Sequence, residues 1–347
     1  MSDESVISYQ SMDIDIQSIV APLYTDTDQE TDEFELVDEA DAGSLSEEIS
    51  ISSTSILPSA DQYELIHGRR YHGYQCGRYP LPNDILEQQR EETLHAMMLQ
   101  VTGNRLFYSD IGEHPQKIVD IGTGTGSWAI DVADLYPSAS VIGTDLSPIQ
   151  PTWLPVNARM FVEDCEELDW LHGNDIDLVH FRSVAGVLRN LHGILREAHS
   201  HLRSGGWVEF QEFAPRILCD DGTMTDDDAL AVFNDLAVEG MRRLGCTAFE
   251  PGMLEDAMKR TGFVNIQQVT TKIPISAWPQ DTDMRIIGVL MREYVRESLD
   301  AYAAKPFEAM GISREEGKAM IGRAEEALEC EGVHRYMNFS FMFGRKE

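Results

Sequence analysis

Short apolar runs alternate with segments of mixed polarity from residue 117 onward. The segment between the first two runs, residues 127–135, has helical spacing. Strands that alternate with helices over short connections are typical of a parallel sheet with right-handed crossovers. The pattern therefore predicts an α/β fold whose strands lie at residues 117–121, 140–145, 159–163, 175–181 and 207–211.

Further elements flank this predicted core. A helix is expected at residues 83–101, with Asn83 as its N-cap. The helix expected at 281–304 is amphipathic, and its apolar face is expected to pack against the core or a pocket. The alternative is that this face forms a partner-binding groove or a dimer surface. The C-terminal half of the chain predicts, in order, a helix at 253–261, a strand at 263–273, helices at 281–304 and 313–330, and a strand at 336–343.

Charge is unevenly distributed along the 347 residues, which carry a formal net charge of −33. Residues 1–60 contain 15 acidic side chains and no Lys or Arg, which leaves −18 for the rest of the chain. Such a segment buries too little apolar surface to offset its ordering entropy, so we expect a disordered acidic arm. The acidic balance disfavours direct binding of nucleic acid. The negative charge would attract a basic protein partner. The alternative is that the acidic arm only keeps the protein soluble.

Cysteine and histidine usage predicts neither disulfides nor a metal site. The five cysteines include no C-x-x-C pair and are expected to be reduced thiols. The histidines show no spacing typical of metal ligands. The sequence starts with an acidic stretch and contains no long apolar run, so neither a signal peptide nor a membrane span is expected. These features predict a protein of the nucleus, the cytoplasm or both.

A glycine-rich loop is the strongest chemical signal. Residues 122–126 contain three glycines directly after an apolar run, and Asp145 closes the next apolar run. Glycines let a ligand lie against the backbone at the start of a helix, and an acid at the end of the next strand can bind a ribose diol. The spacing is not G-x-G-x-x-G, and no Gly-Lys-Ser/Thr follows. An acid just before the loop, Asp120, suits the cationic amino group of S-adenosylmethionine (SAM), which NAD lacks.

Four segments resemble the fungal LaeA-like methyltransferases. They are VDIGTGTGSWAID (119–131), VIGTDLSPIQPTW (141–153), YHGYQCGRYPLPND (71–84) and SGGWVEFQE (204–212). The resemblance covers roughly residues 63–280. It implies a Rossmann-like class I fold whose seven-stranded sheet is mainly parallel, with the last strand antiparallel. It also implies SAM as cofactor and a role in regulating secondary metabolism and development.

The resemblance and the pattern together suggest a division of the chain. We expect the acidic arm at 1–60, an N-terminal helical lid segment at 61–116 and the methyltransferase domain at 117–347. A helical insertion at about 281–330 is expected to cover the substrate end.

The expected cofactor site follows the loop and the two strands beside it. The glycines permit close approach, Asp145 holds the ribose hydroxyls, and Asp164 lies where the resembled fold meets the adenine ring. A surface role for Asp164 is the alternative. The full set of candidate cofactor-binding residues is Asp120, Gly122, Thr123, Gly124, Thr125, Gly126, Asp145, Leu146, Asp164 and Cys165.

Candidates on the substrate side are fewer. His180 is placed to be a general base after the fourth core strand, although a histidine in an apolar strand is more often a core residue. Arg182 suits an anionic group or a local acid. Tyr71, Tyr74 and Tyr79 suit an aromatic lid or a cage for a cationic nitrogen, or they pin the N-terminal segment to the core.

Three functions remain open from the sequence. The first is a SAM-dependent methyltransferase that acts on protein, such as a histone, within a regulatory complex. The second is a biosynthetic enzyme that methylates a small molecule of a natural-product pathway. The third is a scaffold whose turnover is dispensable. A deep apolar pocket under the insertion would favour the small molecule, and an open acidic cleft would favour a basic peptide.

Overall fold

A computed structural model describes residues 63–167, 169–247 and 250–347. The expected acidic arm lies outside the described residues. Nine strands run through the described part of the chain: β1 Tyr63–Ile66, β2 Arg69–His72, β3 Lys117–Ile121, β4 Ser140–Asp145, β5 Ala158–Val162, β6 Ile176–Arg182, β7 Leu202–Leu218, β8 Val264–Pro274 and β9 Tyr336–Arg345. Its eight helices are α1 Ile85–Thr102, α2 Ser127–Leu135, α3 Leu191–His201, α4 Ala229–Arg243, α5 Pro251–Thr261, α6 Thr282–Ala303, α7 Lys305–Met310 and α8 Arg314–Leu328.

Seven of the strands form one sheet, in the order β5-β4-β3-β6-β7-β9-β8. Strands β3 to β7 pair in parallel, and β9 runs antiparallel to both β7 and β8. This arrangement confirms the expected fold: a Rossmann-like, mainly parallel sheet with an antiparallel final strand. The hairpin β1–β2 forms a separate two-stranded sheet.

Alternate residues of the central strands build a core on each face of the sheet. Val119 and Phe181 belong to the cluster that includes α3 and α5 side chains, whereas Ile118 packs with Trp128 of α2 on the other face. Because successive side chains of a strand point to opposite faces, both faces of these strands must be apolar. Burial on both faces explains why these strands appear in the sequence as continuous apolar runs.

The start of α1 differs from the prediction. Asp84, rather than Asn83, is the N-cap, and its side chain accepts a hydrogen bond from the backbone N–H of Glu87. Asn83 is buried instead, and its Nδ2 donates to Ser147 Oγ at 3.0 Å. Asn83 therefore ties the segment before α1 to the loop after β4.

The pattern did not predict β1–β2, α3, α4 or α7, and it predicted only residues 207–211 in the middle of β7. Strand β7 is 17 residues long because it continues past the parallel sheet and pairs with β9 as far as Leu218 and Tyr336. Helix α8 packs against both α4 and α6, and α4 packs against β7. The helical part outside the sheet is consequently larger than the insertion expected at 281–330.

Candidate functional site

The glycine-rich loop joins β3 to α2 at the carboxyl edge of the sheet. Gly122, Gly124 and Gly126 all have left-handed backbone angles, with φ of 70°, 56° and 85°. A Cβ on Gly122 would collide with Val184, and one on Gly124 would collide with the carboxylate of Glu91. Residues with a side chain are strained in this conformation, so both the turn and the close neighbours require glycine.

Asp120, in β3 just before the loop, stabilises the loop. Its Oδ2 accepts from Thr123 Oγ1 at 2.7 Å, and its Oδ1 accepts from His180 Nδ1 at 2.7 Å. The carboxylate is buried, yet it lies on the wall of a cavity of about 170 Å³ beside the loop, which we call the first cavity. Asp120 therefore brings negative charge to the place where the loop backbone is open.

Asp145 ends β4, the strand next to β3, and it also lines the first cavity. Its two oxygens accept backbone N–H groups, Oδ2 from Gly124 and Oδ1 from Ser147, both at 2.9 Å. Burial raises the pKa of this carboxyl. Two carboxylate oxygens offer about four acceptor positions, so Asp145 has capacity left for the hydroxyls of a ribose.

The first cavity brings together most of the expected cofactor residues. Gly126 does not line it and serves as the N-cap of α2. The expected residues on its wall are Asp120, Gly122, Thr123, Gly124, Thr125, Asp145, Leu146, Asp164, Cys165, Arg182 and Tyr79.

An ion-pair group forms part of the wall of the first cavity. Arg78 pairs with Asp164, Nε to Oδ2 at 2.9 Å, and with Glu166, Nη2 to Oε2 at 2.8 Å. Asp164 Oδ1 also accepts the N–H of Glu166 at 3.0 Å. Val187 and Leu188 add apolar wall. Asp164 is thus buried in the cavity wall, and the surface alternative for it is wrong.

His180 does not face the first cavity. It is fully buried, and its ring stacks on Trp128 with centroids 3.6 Å apart and planes nearly parallel. Its Nδ1 is engaged by Asp120. A substrate in the cavity has no access to this ring, so the structure does not support a general-base role for His180.

The three tyrosines do not form a cage. Tyr79 lines the first cavity, and burial raises the pKa of its hydroxyl well above the ordinary value. Tyr71 is fully buried elsewhere, with Lys305 Nζ 3.9 Å from its ring centroid. Tyr74 directs its hydroxyl at Glu167, with Oη to Oε2 at 3.4 Å. The interpretation that these residues pin the N-terminal segment fits Tyr71 and Tyr74.

Sequence reasoning missed the part of the first cavity's wall where α1 packs against α6. Arg90 donates to Glu87 Oε1 from Nε and Nη2, at 2.9 and 2.6 Å, and its guanidinium lies 4.9 Å from the ring centroid of Tyr294. Glu91 accepts the N–H of Thr125 at 3.1 Å. Burial raises the pKa of Glu91 to about 8.

A second cavity of about 190 Å³ lies under α4 and α6. Its wall is mainly apolar, and Glu212 and Asn234 are among its few polar residues. Glu212 is buried, which raises its pKa to about 8. Four residues line both cavities: Ser183, Val187, Tyr294 and Tyr302. The apolar side chains of the second cavity include Phe213, Leu230, Phe233, Ala237, Met241 and Leu299.

The boundary between the two cavities is a strained turn after β6. Ser183 has a φ of 57°, and its buried hydroxyl has no hydrogen-bond partner among the described residues. Glu212 Oε1 holds this turn by accepting the N–H groups of Val184 and Ala185 at 2.9 and 2.7 Å. Backbone strain of this kind is held in place by surrounding structure and is concentrated at functional sites.

The sheet order, the glycine loop and the carboxylate of Asp145 define a class I SAM-dependent methyltransferase. A family model described as a methyltransferase domain matches residues 93–268. The chain is 36% identical to methyltransferase pytC of Aspergillus terreus, over 89% of this chain and 95% of that protein. It is 34% identical to the secondary metabolism regulator laeA of Monascus pilosus, over 78% of this chain and 74% of that protein. The chain belongs to the LaeA-like methyltransferase family.

A further relative carries a more specific name. The protein-methionine methyltransferase laeA of Emericella nidulans is 33% identical, over 71% of this chain and 66% of that protein. Within the described ranges, no helix is both long and apolar enough to cross a membrane, and no group of three or more candidate ligands could hold a metal ion.

Proposed function

We propose that this protein transfers the methyl group of SAM to a small, mainly apolar acceptor that binds in the second cavity. The observation that carries the proposal is the shared wall between the cavities, at Ser183, Val187, Tyr294 and Tyr302. An acceptor in the second cavity would meet the first cavity at this boundary. Methyl transfer depends mainly on alignment and on exclusion of water, and an apolar cavity under α4 and α6 provides both.

Residues of the first cavity fit the cofactor. The glycines leave the loop backbone open, Asp145 has free acceptor positions, and Asp120 lines the cavity that would hold a cationic amino group. When bound, SAM supplies an electrophilic methyl group on a sulfonium. We assign the ribose to Asp145 and the adenine end to Asp164, beside Arg78.

Glu212 is the candidate proton acceptor for the reaction. Its carboxylate lies in an otherwise mainly apolar wall, so an acceptor hydroxyl or amine would find a buried base there. As the nucleophile forms its new bond to the methyl carbon, the sulfur takes the electron pair of the bond that breaks, and Glu212 takes the proton that the nucleophile loses. Because the pKa of Glu212 is raised to about 8, the ionised form needed for this step increases as the pH rises towards that value.

Filling the second cavity tests the proposal. Ala237 is buried on α4 and lines this cavity, so Ala237→Trp should block the acceptor while SAM affinity by calorimetry stays unchanged. Val232 lies on the same helix and is 39% exposed, which makes Val232→Trp the matched control. The probe is a panel of phenols, enols and aromatic amines with deuterated-methyl SAM, read by mass spectrometry. Equal product from both variants would contradict the assignment of the second cavity.

A protein acceptor within a regulatory complex is the second candidate. The regulator and protein-methionine methyltransferase names of the relatives favour it, and a methionine side chain is unbranched and apolar enough for the second cavity. The acidic charge of the chain suits a basic partner in the nucleus or cytoplasm, and it disfavours direct nucleic-acid binding. Methionine-containing peptides and histone-tail peptides therefore belong in the same assay. Methylation of these peptides but of no panel compound would favour this candidate.

A scaffold without turnover is the third candidate. It predicts that the native protein fails to bind SAM in the calorimetric measurement. Micromolar binding would count against it.

A further inference from the structure

Three arginines line the first cavity, and they differ in their partners. Arg78 pairs with Asp164 and Glu166, and Arg90 donates twice to Glu87. For Arg182, no carboxylate of the described residues lies within 4.0 Å of the guanidinium, so it forms no ion pair there. Arg182 therefore forms no direct ion pair with a local acid in the described part of the chain, and Asp120, Glu91 and Asp131 act on it only from a greater distance.

A histidine holds Arg182 by one of its nitrogens. Arg182 Nη1 lies 3.0 Å from Nδ1 of His95, and Nε2 of His95 lies 2.9 Å from Oδ2 of Asp131. A guanidinium only donates, so Nδ1 of His95 accepts and Nε2 carries the proton that is donated to Asp131. Burial lowers the pKa of His95, which agrees with a neutral ring. One donor of Arg182 is fixed in this way, and its other N–H groups remain for a ligand.

Arg182 also lies beside the loop. It ends β6, one residue after the pair Ile121 and Phe181, so its backbone is level with Gly122 in the neighbouring strand. Burial lowers the pKa of Arg182. The acids Asp120, Glu91 and Asp131 act on the guanidinium from beyond ion-pair distance and offset only part of this effect. A buried guanidinium with no carboxylate in direct contact has room for an anionic ligand.

The methionine end of SAM carries both an α-carboxylate and an α-ammonium group. Asp120 on the cavity wall suits the ammonium, and a guanidinium fork suits a carboxylate in bidentate geometry. We propose that Arg182 binds the α-carboxylate of SAM and that His95 and Asp131 position it for this contact. This inference concerns the cofactor and does not depend on which acceptor is methylated.

Decarboxylated SAM is the probe that isolates this contact, because it keeps the adenosine, the sulfonium and the amine. Calorimetry should show that the native protein prefers SAM by about 10- to 100-fold, as expected for loss of a charged hydrogen-bonded pair. In Arg182→Met the two ligands should bind with similar affinity. Arg182→Lys keeps the charge without the fork, so its preference should fall between those of the native protein and Arg182→Met.

Arg78→Met is the matched control. It removes a positive charge from the same cavity at the adenine end, so it should weaken both ligands without changing their ratio. His95→Gln should reduce the preference for SAM because Arg182 is no longer held, which a purely structural role would not do.

Three results would overturn the proposal. In the first, the native protein does not discriminate between the ligands. In the second, Arg182→Met weakens both equally. In the third, it leaves both affinities unchanged, which would leave Arg182 free for an anionic group of the acceptor.

Discussion

Replacing Glu212 by Gln should change how stability depends on pH. The side chain is buried at the end of the parallel sheet, and its Oε1 accepts the N–H groups of Val184 and Ala185. A Gln side chain has nearly the same shape and can accept the same two hydrogen bonds, but it has no carboxyl to ionise. The substitution therefore removes the titration and keeps the contacts.

The sign follows from the raised pKa. Burial raises the pKa of Glu212 from 4.5 to about 8, so the folded state holds the proton more tightly than the unfolded state does. The resulting stabilisation is present below about pH 4.5 and is lost as the pH rises through about 8. One pKa unit corresponds to about 1.4 kcal/mol, so between about pH 5 and about pH 8 the native protein should lose about 3 kcal/mol relative to the variant.

Urea unfolding at a series of pH values measures this difference. The free energy of unfolding of Glu212→Gln minus that of the native protein should increase steadily with pH. Glu316→Gln is a useful contrast, because hydrogen bonds from Ser313 lower the pKa of this exposed carboxyl. The Glu316→Gln variant should therefore still lose free energy of unfolding at alkaline pH, as the native protein does. A constant difference across the series for Glu212→Gln would refute the argument that Glu212 is protonated in the folded state.

Two further predictions concern the cofactor site and the helical part. Asp145→Ala should weaken SAM binding by about 10- to 100-fold in calorimetry, because charged hydrogen bonds to the ribose are lost. An unchanged dissociation constant would contradict the assignment. Arg335→Met should lower the free energy of unfolding by about 3 to 5 kcal/mol, because it leaves the buried carboxylate of Asp228 without its partner. The double variant with Asp228→Asn should recover part of that loss in urea unfolding.

The sheet could be predicted largely because its signals are local. Runs such as residues 117–121 and 140–145 are apolar on both faces, and the strands occur at those bounds. Helix α4 escaped prediction, although its apolar residues face the second cavity and the helices around it. The N-cap of α1 was predicted one residue too early, at Asn83 instead of Asp84. Both residue types are good N-caps, and only the tertiary contact of Asn83 with Ser147 distinguishes them.

The cofactor site was predictable only where the chain brings its residues together locally. The loop and Asp145 belong to one β-α-β unit, so their meeting follows from the fold. Arg78 and Glu91 reach the first cavity from the N-terminal segment, and no spacing rule predicts those contacts. His180 was misplaced because strand alternation does not say which face a helix covers, and α2 covers its face with Trp128.

The two cavities share four residues but draw most of their walls from different parts of the chain, so under the proposed function donor binding is separate from acceptor choice. The loop and β4 shape the first cavity, whereas α4, α6 and the far end of β7 supply most of the second. An apolar wall tolerates changes of side-chain size as long as it stays apolar, so the acceptor can change while the loop is kept. A shared loop therefore indicates SAM chemistry among relatives, and if the acceptor binds in the second cavity as proposed, the wall around Ala237 and Glu212 selects it.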